Sequence, residues 1–165
     1  MIFGDKGTFA IDVEIEDYID SWVFGRFLFI IAGETIGNTN DSTDLRGCRR
    51  WLNDLLVRSP EAVDEALLRL SAREFFATVY DPAMARGTWQ SAKYPDAFRR
   101  FSISQVGMSS FERFDLLLVG LPGGGHRLFW REAGGDARAQ DIGPELFNKT
   151  LAECVNWMDA TFPPI

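Results

Sequence analysis

The chain has 165 residues, 46% of them hydrophobic and 25% charged, the balance of an ordinary globule of one domain. Its net charge is −7, which leaves no basic stripe for a phosphate backbone and excludes nucleic acid as a main ligand. No apolar run approaches the ~18 residues of a membrane span, and no basic stretch leads into an apolar one at the N-terminus, so a cytoplasmic protein with neither membrane anchor nor signal peptide is expected.

Residues 8–16 alternate strictly, Phe9, Ile11, Val13 and Ile15 standing between Asp12, Glu14 and Glu16, and predict a half-buried strand. "SWVFGRFLFII" (21–31) is rich in aromatic and β-branched residues and predicts a second strand. The polar "DYIDS" between them makes an antiparallel hairpin. If Asp17 and Ser21 close the connection, Glu16 faces Trp22, Glu14 faces Phe24, Asp12 faces Arg26 and Ala10 faces Leu28. The other face, with Ile15, Ile11, Phe9, Val23, Phe27 and Phe29, is apolar and is the expected core side. "AGETIGN" adds a tight turn at Ala32-Gly33 and a brief third strand.

"NTNDSTDL" is a cluster of helix-capping residues. Leu45, Cys48, Leu52 and Leu55 then fall at helical spacing and predict a helix to about Arg58, with Arg50, Asp54 and Arg58 on another face. Ser59-Pro60 opens a second helix with Val63, Ala66, Leu67 and Leu70 as its stripe. Ser71 and Glu74 have capping-box spacing, and Leu70 and Phe75 are placed as a hydrophobic staple. Residues 72–80 therefore read as a short helix, although "FFATVY" also fits a strand. Residues 81–97, with two Pro and a Gly, read as a long loop.

"FRRFSISQV", "FERFDLLLVGL" and "HRLFWRE" look like a three-stranded meander with turns at "GMSS" and "PGGG", completed by a short strand near Arg138–Asp141. Gly143-Pro144 opens a final helix with Phe147, Leu151, Cys154, Val155, Met158 and Phe162 on its buried side. The sum over residues 1–165 is a single α+β domain. It is expected to be an antiparallel sheet of about six strands with three to four helices packed mainly on one face.

Catalytic signatures are sparse. The one histidine, His126, adjoins the "PGGG" turn, has no nucleophile elbow near it and reads as a dispensable surface residue. "LPGGGH" leads into a strand, not into the Lys-Ser/Thr and helix of a phosphate loop. No Cys or His cluster has zinc spacing, and Cys48 and Cys154 read as two buried reduced thiols. Alternate strand positions stand about 6.6–7 Å apart, too far for Asp12, Glu14 and Glu16 to grip one small ion together. No metal, organic cofactor or catalysis is expected. The alternatives kept open are a small enzyme or small-molecule-binding domain, and a self-associating module.

The charge is unevenly spread. Residues 1–20 hold six acids and one base, and the remaining 145 residues hold eighteen acids and sixteen bases. An acidic end favours a basic protein partner. On the hairpin, Asp12, Glu14, Glu16, Trp22, Phe24 and Arg26 would set aromatics beside charge, the mixture of a protein-binding patch. The competing reading has the 81–97 loop, with Trp89 and Tyr94, folded over those aromatics.

"IFGDKGTFAIDVEI", "WVFGRFLFIIAGETIGN" and "DLRGC", over residues 2–48, resemble a family of bacterial immunity proteins, number forty-two among those of polymorphic toxin systems. The meander with Trp130 and the last helix share the likeness. The resemblance implies a small cytoplasmic protein; a monomer or weak dimer is expected. It would bind and neutralise a cognate toxin of a contact-dependent, type VI or related system without catalysis. It hands over no catalytic residues.

Overall fold

The structure is a computed structural model and describes residues 1–58, 64–85, 101–103 and 109–164. Eight strands among these residues form two antiparallel sheets. In the larger sheet β1 (Ile2–Asp5), β2 (Phe9–Ile19), β3 (Trp22–Ile31) and β4 (Glu34–Ile36) lie in that order, and β5 (Thr43–Asp44) also pairs with β3. The smaller sheet has the order β6 (Phe114–Gly120), β7 (His126–Glu132), β8 (Arg138–Ile142).

Alternation along β2 and β3 decides which side is covered. Phe9, Ile11, Val13, Phe27, Phe29 and Ile31 are fully buried on one face. Over that face pack α1 (Leu45–Arg58) and the C-terminal helix α4 (Pro144–Thr161), which also contact each other. Cys48, Leu52 and Leu55 from α1 join Phe147, Leu151, Cys154 and Met158 from α4 in the same core. Asp44 starts α1 by accepting the backbone N–H groups of Arg46 and Gly47 at 2.9 and 3.0 Å, which satisfies donors a helix start leaves free. Gly143 and Pro144 open α4 as the sequence predicts. Close packing of β1 on α4 requires Gly4. Its φ is +90°, and a Cβ there would stand 2.5 Å from Phe9 O and from Thr150 Oγ1.

The smaller sheet is buried on both sides. Leu116, Leu118, Leu128, Trp130 and Ile142 join the main core, while Leu117, Val119 and Phe129 meet a second cluster with Leu67, Phe75, Phe76, Val79 and Phe101. Phe75 lies flat on Phe129, with ring centroids 3.9 Å apart. The capping box holds: Ser71 Oγ accepts the Glu74 N–H at 3.3 Å, and the Glu74 carboxylate accepts the Ser71 N–H at 2.8 Å.

The fold is α+β, and several expectations need correction. The strands lie in two sheets, with β1 and β5 added to those read from sequence. Asp64–Leu70 is a turn and a single 3-10 turn over Leu67–Arg69, in place of the expected second helix, whose start at 59–63 lies outside the described residues. The helix at 72–80 is present, as α2 (Ala72–Phe75) followed by a π turn over Phe76–Tyr80. It continues as α3 (Asp81–Ala85) into the expected loop. Pro82 accounts for the wide turn, because its ring crowds the carbonyl one turn back and it has no N–H to donate. The rest of the 81–97 segment, with Trp89 and Tyr94, lies outside the described residues. Of "FRRFSISQV", the described part makes one bridge, Ser102 to Leu117. His126 is not a surface residue: it is 3% exposed, with its ring 4.5 Å from that of Phe147. The start of α4 closes over the hairpin that carries it, a contact sequence spacing does not report.

Candidate partner-binding surface

The candidate site is built from the β2–β3 hairpin, whose register differs from the one expected from the sequence. Asp20 and Ser21 alone make the turn, Asp20 taking the left-handed conformation at φ +52°. Asp12 faces Leu28, Glu14 faces Arg26 and Ile15 faces Gly25. Glu16 then forms a bulge, after which Asp17 faces Phe24, Tyr18 faces Val23 and Ile19 faces Trp22. Along the base the shift is two residues, so every side chain keeps its expected face. Past the bulge the phase switches, and Asp17 and Ile19 join the face of Asp12 and Glu14. Gly25 allows the two strands to meet tightly, since a Cβ there would fall 2.0 Å from Glu14 O and 3.0 Å from Leu45.

The six residues singled out from sequence separate into two groups. Arg26 binds Glu14 at 2.7 Å and reaches Asp12 at 3.6 Å, and Asp12 also lies 3.8 Å from the N-terminal ammonium. Asp12, Glu14 and Arg26 thus compensate one another at the base of the face. Glu16, Trp22 and Phe24 lie nearer the tip. Trp22 is 50% exposed and stacks on half-buried Phe24, with centroids 6.2 Å apart.

Sequence reasoning missed the rest of the tip. Ile19, opposite Trp22, is 51% exposed, and Tyr18, on the reverse of the ribbon, is 49% exposed. Asp17 and Asp20 stand in solvent beside them. Exposed apolar groups standing together and rimmed by charge are a common feature of interaction sites. From Glu14 to Gly25 the chain has four acids and no base. A two-residue turn at Asp20-Ser21 was the available signal, and the lack of Gly there concealed it.

Elsewhere the charged groups hold the fold together. A cleft of about 370 Å3 between α1 and the end of α4 is lined by Arg46, Arg49, Arg50 and Phe162. Arg49 is bonded twice to Asp159 at 2.8 Å, which keeps that carboxyl below its usual pKa, and Arg46 donates to Pro163 O at 2.5 Å. A smaller cleft of about 200 Å3 lies between β4 and the smaller sheet. Glu34 and Arg138 form an ion pair there, and Arg131 binds Asp115 at 2.8 Å and Asp81 at 2.5 Å while lying over the Phe76 ring. Among the described residues no group of three or more His, Cys, Asp or Glu is placed to hold a metal ion. Cys48 and Cys154 are buried free thiols, and burial pushes both thiol pKa values up, that of Cys154 to about 12, which suits packing and not nucleophilic attack. No helix among the described residues is long and apolar enough to cross a membrane.

A search of curated proteins finds no match. The crystal structure of CdiI from Burkholderia dolosa AUO158 superposes on 95% of this chain and 99% of its own, with a TM-score of 0.71. At 15% identity the likeness shows a shared fold. The sequence profile of the family described as Immunity protein 42 matches residues 1–157, nearly the whole molecule, and the chain belongs to that family.

Proposed function

We propose that this immunity protein neutralises a cognate secreted toxin by binding it through the tip of the β2–β3 hairpin, without catalysing a reaction. The cluster of exposed Ile19 and Trp22 with half-buried Phe24, rimmed by Glu16, Asp17 and Asp20, which pair with no base among the described residues, carries the proposal. The aromatics anchor the complex by filling apolar recesses, and Glu16, Asp17 and Asp20 attract a basic toxin surface and quicken encounter. Asp12, Glu14 and Arg26 form the ion-paired lower rim, which fixes orientation more than affinity. The free chain is a monomer or a weak dimer in the cytoplasm, since tip acids of two copies repel, and residues 1–165 act as one domain.

The toxin domain encoded beside this gene supplies the test. Titrated with the chain, its activity should fall in proportion and reach zero at one equivalent. Complete inactivation by a small fraction of an equivalent would mean turnover, and would overturn a stoichiometric inhibitor.

A further inference from the structure

The two edges of the hairpin end differently. On β3, β5 pairs with Phe24 and Gly25 and covers that edge almost to the turn. On β2, pairing with β1 runs over Phe9–Asp12, and Val13 adds a last exchange. The Val13 N–H donates to Met1 O at 2.8 Å, and its C=O accepts from the Met1 ammonium at 2.5 Å. Beyond Val13, no strand among the described residues pairs with this edge. Backbone groups return to one edge at every second residue, so Ile15 turns its N–H and C=O outward. The two-residue turn makes Ile19 and Trp22 face each other, which leaves Tyr18 as the next outward residue. Tyr18 shows what an edge without a neighbour does: its N–H donates in solvent to the adjoining carboxylate, Asp17 Oδ1, at 2.8 Å.

We infer that this open edge, from Ile15 to Tyr18, receives an extended segment of the toxin as an added strand, and that the segment carries lysine or arginine. The inference rests on the hairpin being the docking surface. Strand addition needs outward-facing backbone donors and acceptors: Ile15 presents both, and the Tyr18 N–H, held in the free chain by Asp17 Oδ1, exchanges that carboxylate for the added strand. Charge selects the occupant. A second copy laid edge to edge would set Glu14, Glu16 and Asp17 against their own kind, and like charges directly opposite destabilise a strand pair. A basic strand meets the same acids as opposite charges.

The test is residue-resolved amide hydrogen exchange on the full chain, alone and with the toxin domain encoded beside its gene. Exchange at Ile15 and Tyr18 should slow at least tenfold in the complex. Tyr18→Pro removes the outward N–H and should weaken binding about tenfold more than Tyr18→Ala, the value of roughly one hydrogen bond. Proline is tolerated at strand edges, and amide exchange of the unmodified chain carries the test if that variant melts early. Binding that depends on Trp22 but leaves both amides exchanging as in the free chain overturns the added strand and keeps the hairpin surface. Binding that ignores Trp22 and protects amides elsewhere overturns both. Slowed exchange at Ile15 and Tyr18 in the concentrated chain alone makes the occupant a second copy, and overturns a toxin strand.

Discussion

The β2–β3 hairpin is one ribbon with two unlike ends. At its base, Phe9, Ile11, Phe27 and Phe29 are sealed under α1 and α4, and the sheet continues on both sides through β1 and β4. At its tip, Ile19 and Trp22, as apolar as those at the base, stand half in water. Their apolar residues alone do not separate the two ends. What separates them is the reach of the neighbouring elements, because β1 pairs only to the level of Asp12 and Val13. The base stabilises the fold, and the proposed docking surface lies at the tip.

Substitution should split stability from binding along this line. Phe29→Ala at the base removes a fully buried ring and should cost about 3–5 kcal/mol of unfolding free energy, measured by urea denaturation. A loss below about 1 kcal/mol would break the contrast from the base side. His126→Ala, in the core contact with Phe147, should cost about 1–3 kcal/mol by the same measurement. That is well above the ~0.5 kcal/mol of an ordinary surface position.

Much of the base was legible in the sequence, and most of the tip was not. Period two assigns faces whatever the register, so Phe9, Ile11, Phe27 and Phe29 fall on the core side in either pairing. Register depends on the turn, and neither Asp20-Ser21 nor the Glu16 bulge has a glycine to announce it. "IFGD" is too short and glycine-interrupted to read as β1 without its partner. The burial of His126 depends on a helix starting eighteen residues later. Of the candidate site proposed here, the sequence alone singles out Trp22, Phe24 and Glu16. Ile19 and Tyr18 were hidden in a segment that read as a polar connection, and the closer ion pair of Arg26 with Glu14 followed only from the corrected register, the expected one setting Asp12 opposite Arg26.

The core end also has a pH signature. Burial holds the Cys154 thiol at about 12 in the folded chain, against 9.0 for an ordinary thiol, and Cys48 shifts in the same direction. Between pH about 9 and 12 the unfolded chain releases thiol protons that the folded chain keeps, so stability is fully present below 9 and falls as pH rises. Urea denaturation should show a lower stability at pH 10 than at pH 8, by roughly 1 kcal/mol per thiol, and a smaller loss in Cys154→Ala. The tip should not take part. Neutralising Glu16, Asp17 and Asp20 together should move stability by less than about 0.5 kcal/mol. The same change should slow association with the toxin domain several-fold at low salt and flatten its salt dependence.

Trp22→Ala separates docking from folding, by binding kinetics with the neighbouring toxin domain and thermal unfolding of the same sample. The melting temperature should stay within a few degrees of the parent while binding weakens by about 2 kcal/mol or more, chiefly as faster dissociation. A lowered melting temperature with unchanged kinetics for the folded fraction would contradict it, and would make Trp22 part of the fold and not of the docking surface.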